Sequence, residues 1–303
     1  MSKNPSLPEV VTKDELRALL KLSNVRAAAI LLGNFAILAG AFAVAILWPN
    51  PLTIILGTVV IAGRILGLVV IGHDCAHHAF FRSRRANEIV GHWFANAALN
   101  VSHYAYRAYH LKHHQYAGTD KDPDIGLVRN YPIPRDSFRR KMLRDLTGRT
   151  GLRDTWYKIR NFRLPRHLPW LTFHIVLFGL LFAVGAPWAY AMWWAAELFL
   201  YPAITRIRNI GEHGVASDRT SLDPRENTHT TLANPLERLV LAPNYVNFHC
   251  EHHHFPAVPP YNLPRLHRLL RERGYYEGYR SLTRGYPAML RRAVRDDPAM
   301  VAA

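Results

Sequence analysis

Three short stretches gather most of the histidines of this chain: His73-Asp74-Cys75-Ala76-His77-His78, His110-Leu111-Lys112-His113-His114, and His249-Cys250-Glu251-His252-His253-His254. Neutral imidazole is the commonest protein metal ligand, and it suits Fe, Zn, Cu and Ni. On a helix, residues at i, i+3 and i+4 lie on one face with Cβ atoms about 5–6 Å apart. The spacing therefore predicts that His73 and His77 project together, as do His110, His113 and His114, and His249, His252 and His253. A catalytic zinc takes three protein ligands and a structural one four. Eight histidines at ligand spacing exceed one such ion and suit two ions of higher coordination. His78 and His254 each fall one residue beyond the ligand face and read as outer residues at the rim of the site.

Such a site needs elements to hold it. Of the 303 residues, 49% are hydrophobic, and mean hydropathy is near zero. That average conceals apolar runs alternating with basic, His-rich stretches, the pattern of a membrane protein with a polar cap. Four spans are expected, at about 25–48, 52–72, 168–185 and 188–205. Tight turns join them in pairs, at Asn50 and Pro51 and at Gly185, Ala186 and Pro187. Neither turn contains Lys or Arg. Nearly all the basic residues lie in the N-terminal arm, in 81–167 and after Thr205, which places both termini and both large polar segments in the cytoplasm. The expected fold class is thus all-α integral membrane, with four transmembrane helices in two hairpins under a cytosolic helical cap. The cap comprises 73–167 and 206–283, and 284–303 forms a short helix and loose tail. All of it makes one domain. Residues 88–101 are moderately apolar but hold His92, Asn96 and Asn100, and read as an interfacial or re-entrant helix. The N-terminus is a polar arm entering a short amphipathic helix, with Thr12 and Glu15 at capping-box spacing.

The formal charge is +16. Its distribution follows the apolar spans and is not gathered on a soluble module, which argues against nucleic-acid binding. Cys75 and Cys250 form no CxxC or disulfide framework, as suits a reducing compartment. Both read as small packing residues. No secretory signal is recognisable.

The stretches GHDCAHHAFF, YRAYHLKHHQYAGTDKDPD and NFHCEHHHFPAVPPYNLPRLH, in this order and with this topology, resemble the membrane fatty acid desaturase superfamily. The resemblance covers roughly residues 25–270. That superfamily includes acyl desaturases, related hydroxylases and carotenoid ketolases. The resemblance implies two iron ions as cofactor, O2 as co-substrate, and no separate side-chain base. It also implies a further metal-ligating histidine after the fourth span, His213, and an Asn four residues earlier, Asn209, that reaches a metal through water. Their i, i+4 spacing agrees. No fused electron-transfer domain is visible, so the expected donor is a separate ferredoxin or haem protein with its reductase.

The leading expectation is introduction of a double bond into a fatty acyl chain. The alternative is a hydroxylase or ketolase acting on a carotenoid or another apolar or small substrate. A His-rich metal transporter should place its ligands inside the spans, whereas these boxes lie outside them. Carboxylates expected to orient the imidazoles are Asp74, Glu212 and Glu251, with Asp120, Asp122 and Asp124 as further candidates and Arg107 a partner for one of them. His103 is close enough to the second box to support it. His92, His167, His174, His229 and His267 read as structural. Three polar residues interrupt the spans: Asn34, Arg64 and Glu197. Each lies about 12–13 Å from the expected cytoplasmic end at the helical rise per residue. Arg64 and Glu197 are expected to pair and to help form the floor of a substrate pocket.

Overall fold

A computed structural model describes residues 10–295. The polar arm before Val10 and the tail after Arg295 lie outside the described residues. The chain is mostly helical, and its order is set by capping and by where glycine lets helices touch.

The first helix, α1 (Lys13–Leu19), starts at the expected capping box. The Glu15 N–H donates to Thr12 Oγ1 at 3.3 Å, and the Thr12 N–H donates to Glu15 Oε2 at 2.9 Å. Two long apolar helices follow, α2 (Asn24–Leu47) and α3 (Pro51–Ala76). Asn50 makes the turn between them. Its side chain accepts from Leu52 N and Thr53 N, and Pro51 at the first helical position supplies a preset φ.

The α3 helix does not end where the apolar run ends at Gly72. It continues to Ala76, so His73 and Asp74 sit inside the helix and His77 is its C-cap. This helix is the axis of the molecule. It is buried almost continuously from Ile61 to Ala76. Two of its glycines permit the close approaches that make this so. A Cβ at Gly63 would stand 2.5 Å from the Leu239 carbonyl oxygen, and one at Gly72 would stand 2.3 Å from Asn96 Oδ1.

The stretch expected as one interfacial helix over 88–101 is segmented. It runs as α4 (Arg84–Ile89), a π turn (Val90–Ala95) and a 3-10 turn (Asn96–Leu99), and stops at Asn100 in the left-handed region. The second box lies on α5 (His103–Tyr116). Then come α6 (Arg135–Leu146), α7 (Arg149–Arg160) and the long apolar α8 (Leu164–Ala183).

Among the described residues three helices are long and apolar enough to cross a membrane: α2, α3 and α8. The fourth expected span, 188–205, is helical but not one α-helix. It comprises a 3-10 turn (Pro187–Ala189), α9 (Tyr190–Ala195), a π segment (Ala196–Leu200) and α10 (Tyr201–Asn209). Pro202 lacks the N–H that would close the regular ladder on Leu198, and the π segment lies directly before it. A second π segment, Ile210–Gly214, carries Glu212 and His213.

The remainder packs against α3 from its middle, at Gly63, to the histidines at its C-terminal end. The third box forms α11 (His249–His254), followed by α12 (Leu263–Glu272) and α13 (Tyr286–Ala293). The fold is not purely helical. β1 (Thr230–Leu232) pairs in parallel with β2 (Leu282–Arg284), too short for a periodic signal in the sequence. The expected short helix near the C-terminus is α13.

The expected Arg64–Glu197 pair does not form. Arg64 donates instead to the carbonyls of Arg238, at 3.1 Å, and Leu239. Glu197 receives Lys158 Nζ at 3.5 Å and Trp193 Nε1 at 3.1 Å. Asn34 donates to the Arg64 carbonyl at 3.2 Å. The reason is the close approach at Gly63, which turns this face of α3 toward residues 238–240.

Candidate metal centre

All nine histidines expected as ligands fall into two groups. His73, His77, His110, His114 and His252 make the first, and His113, His213, His249 and His253 the second. Within each group the ligand nitrogens lie within 4.8 Å of one another. In the first, Nε2 of His110 is 2.9 Å from that of His77 and 3.1 Å from that of His114, and His252 Nε2 is 3.0 Å from His114 Nε2. In the second, His249 and His213 approach at 2.8 Å and His113 and His253 at 3.3 Å.

These separations fit a metal. Two imidazole nitrogens, each ~2.1 Å from one ion and at right angles, stand roughly 3 Å apart. Nitrogens that converge with no carboxylate or carbonyl between them gain little from one another, since a pair of imidazoles shares at most one hydrogen bond. Three of the outer nitrogens are anchored. His73 Nδ1 meets Asp74 Oδ1 at 2.9 Å, His113 Nδ1 meets Asp122 Oδ1 at 2.8 Å, and His213 Nδ1 meets the Asn227 carbonyl at 3.0 Å. An anchored Nδ1–H fixes the tautomer that leaves Nε2 a free lone pair facing inward. His73 Nε2 is buried with no hydrogen-bond partner.

The expectation that each box projects as one facet needs correction. Box two sends His110 and His114 to the first group and His113 to the second. Box three sends His252 to the first and His249 and His253 to the second. Helix geometry gives the reason. Residues four apart differ in direction by about 40°, and a residue three on lies about 60° the other way. Each i, i+4 pair therefore shares one group, and the i+3 member crosses to its neighbour. Boxes two and three thus bridge the two groups. Box one, with only an i, i+4 pair, serves one.

The supporting carboxylates divide similarly. Asp74 contacts His73 and Asp122 contacts His113, and Asp124 lies 3.6 Å from His113 Nδ1 while accepting from the Tyr109 hydroxyl at 2.5 Å. Asp120 is exposed. Glu212 is 3.7 Å from His249 Nδ1 and is held by Arg208 Nε at 2.5 Å. Glu251 does not orient a box imidazole. It lies two residues from His249, on the far side of α11, and accepts from His267 Nδ1, the Tyr276 hydroxyl and the Thr230 hydroxyl. This buried group of four ties α11 to α12 and β1. Arg107 makes no pair with any of the three aspartates, and its Nη1 has no hydrogen-bond partner. His103 packs under Gly91 and meets Asn96 at 3.1 Å, away from the second box.

His78 and His254 lie outside both groups. His78 adopts φ 56° with Nε2 3.8 Å from Glu88, and His254 rests against the Tyr275 ring. Cys75 and Cys250 are buried free thiols. Asn209 lines a cavity of about 250 Å³ that also touches His110, His113, His213 and His249. Sequence reasoning missed Arg208, whose i, i+4 spacing to Glu212 was readable, and Tyr106, which stacks on His110 at an interplanar angle of 6°. It also missed the Asn227 carbonyl, for which the sequence carries no signal.

Burial is the main electrostatic influence here. Desolvation first, with neighbouring cationic groups second, brings His77 and His213 down to about 3 and His114 to about 2. The same causes hold His110, His249, His252 and His253 well below the ordinary histidine value. These imidazoles are neutral at physiological pH, the form that binds metal. A consequence concerns the metal-free protein. The unfolded chain takes up protons near pH 6.5, whereas the folded chain refuses them until far lower, so stability present above 6.5 is lost as pH falls below it. Metal-free protein in detergent should melt at a lower temperature at pH 5 than at pH 7.5. Equal melting temperatures would contradict this electrostatic picture.

The fatty acid desaturase family profile matches residues 46–285. The chain is 24% identical to a dihydrorhizobitoxine desaturase of Bradyrhizobium elkanii, over 93% of this chain and 85% of that protein. It is 26% identical to an sn-1 oleoyl-lipid 12-desaturase of Synechocystis sp., over 68% and 65%. It is also 26% identical to a beta-carotene ketolase of Paracoccus sp., over 66% and 73%.

Proposed function

This chain belongs to the fatty acid desaturase family, and we propose that it is an O2-dependent di-iron oxidoreductase that introduces a double bond into a fatty acyl chain. The observation that carries the reading is the sorting of nine imidazoles into two adjacent groups. The first group would hold one iron with five histidines. The second would hold the other with four, leaving room for a water held by Asn209.

The irons, when bound, would supply the activation of O2 that side chains cannot provide. Removing two hydrogens from a –CH2–CH2– unit yields two electrons, and reducing O2 to two waters takes four. A separate ferredoxin or haem electron-transfer protein with its reductase would supply the remaining two. The protein's own part is positional. Asp74, Asp122 and the Asn227 carbonyl hold the tautomers, Glu212 and Arg208 brace His249, and the buried walls exclude water.

In this reading the whole chain is one domain. Four transmembrane helices form two hairpins, the fourth being the segmented helix that runs to Thr205. The turns after Trp48 and Val184 face away from the cytoplasm because they lack basic residues, so both termini and the metal site are cytoplasmic. Asn34 and Arg64 then belong to the packing of α3, and Glu197 to the wall of a cavity.

Similarity to a ketolase as well as to desaturases keeps a second outcome in view, oxygenation of a carotenoid or a small substrate at the same centre. One experiment separates the two. The chain and its His252→Ala variant are expressed in the same host, and lipids and polar metabolites are both profiled. Unsaturated acyl chains that appear only with the unaltered chain support desaturation. An unchanged acyl profile with a new oxidised metabolite would replace it by the second outcome.

A further inference from the structure

We propose that the passage leading to the histidines contains a binding site for an anionic group of the substrate, a carboxylate or a phosphate, built by Lys158 with Arg153 and Arg166. This rests on the metal-centre reading above and narrows its substrate class.

The cavity at the histidines is not isolated. Through Val101, Tyr106 and Tyr109 it shares its wall with an open groove of about 580 Å³. Through Tyr201, Thr205 and Asn209 it shares its wall with a side cavity of about 360 Å³. Groove and side cavity meet at Arg153, Asp154 and Lys158. The groove that borders the histidine cavity therefore carries Lys158 and the two arginines on its wall.

The charges at this junction are unbalanced. The groove carries three cations, Arg153, Lys158 and Arg166, against the single carboxylate of Asp154. Asp154 is engaged by its neighbour Arg153, which donates to it at 3.1 and 3.0 Å. Lys158 is three-quarters buried and pairs with Glu197 at 3.5 Å. An ammonium has three donors, so two remain to be directed into the junction. Among the described residues no carboxylate pairs with Arg166. The side cavity adds Arg206, but that cation is held by Asp145.

A solvated basic helix face would explain exposed arginines on α7. It does not explain a lysine drawn into the wall of a cavity and fixed there by Glu197, itself 5% exposed. Burying a positive group is costly unless partners satisfy it; Glu197 meets one side of this ammonium, and an anion in the junction would meet its remaining donors. Glu197 serves here as the residue that positions Lys158. An uncharged tail passing the junction would leave these donors unmet.

The test uses the full chain, loaded with iron, in an uncharged maltoside detergent. The probes are hexanoate and hexyl phosphate, with hexanol as uncharged control and hexylammonium as cationic control. Titration calorimetry should show at least one anion binding about tenfold or more tighter than hexanol, as expected for a charge-assisted hydrogen bond. Lys158→Gln should remove most of that preference, and Lys158→Arg should restore part of it. Arg166→Gln, at an exposed position that does not threaten folding, should reduce it several-fold. Stronger binding of hexanoate assigns a carboxylate substrate, and stronger binding of hexyl phosphate a lipid phosphate. Anions that bind iron-loaded protein no better than hexanol would overturn the site, as would a preference that survives both Lys158→Gln and Arg166→Gln. Anion preference in a protein that takes up no iron would support this site while overturning the metal reading beneath it.

Discussion

Replacing His113 by alanine should lower product formation by more than about a hundredfold, beyond what losing an outer partner of a metal ligand costs. Three features single out His113. It belongs to the smaller group, so its loss leaves three imidazoles where the other group has five. It is the i+3 member of its box, the one side chain that α5 sends across to the second group. It is also the most firmly fixed, 2% exposed with Nδ1 on Asp122, which in turn accepts the Asp124 N–H at 2.8 Å. Burial pushes the Asp122 carboxyl up, but the hydrogen bond and charge of His113, the Asp124 N–H and His213 together outweigh it and leave that carboxyl below its ordinary value. Asp122→Asn keeps the ligand and loses only its anchor, so it should cost about 10–100-fold. Turnover per chain and bound iron should be read on the same preparations. Wild-type turnover in His113→Ala would contradict the assignment of the second group.

The largest effect on stability is expected at Arg208. This guanidinium is buried beside the second group and held above its ordinary value by Glu212, against the cost of its own burial. Glu212 is pushed up by burial to about 7 even with Arg208 in place. Arg208→Met removes the only cation that is hydrogen-bonded to it among the described residues. Breaking one side of a buried pair costs about 3–5 kcal/mol, whereas replacing both sides is often nearly neutral. The single variant should therefore melt well below the unaltered protein, and Arg208→Met with Glu212→Gln should recover most of the loss. A double variant as unstable as the single one would show that Arg208 acts through packing, not through charge.

The clustering of the nine histidines was legible because helix periodicity acts at short range. A box is six residues or fewer, and its spacing alone brings imidazoles to one side of a helix. The same arithmetic also contained the crossing of the i+3 members. Treating i+3 and i+4 as one face hid it, although the two directions differ by about 100°. Long-range partners were not legible. Glu251 sits inside a box by sequence yet turns toward His267 and Tyr276, and only the folded α12 decides that. Arg64 and Glu197 share a depth in their spans, but the Gly63 contact directs one toward carbonyls while α7 brings Lys158 to the other. Strands of three residues and π turns leave no periodic trace. The apolar runs, by contrast, predicted α2 within one residue at each end, because nothing in that segment competes with the helix.

The account stands or falls on metal content. Purified, active, full-length protein should contain two irons per chain by elemental analysis, and the His113→Ala variant should contain fewer. Active protein with substantially fewer than two irons, or with another metal in their place, would contradict it.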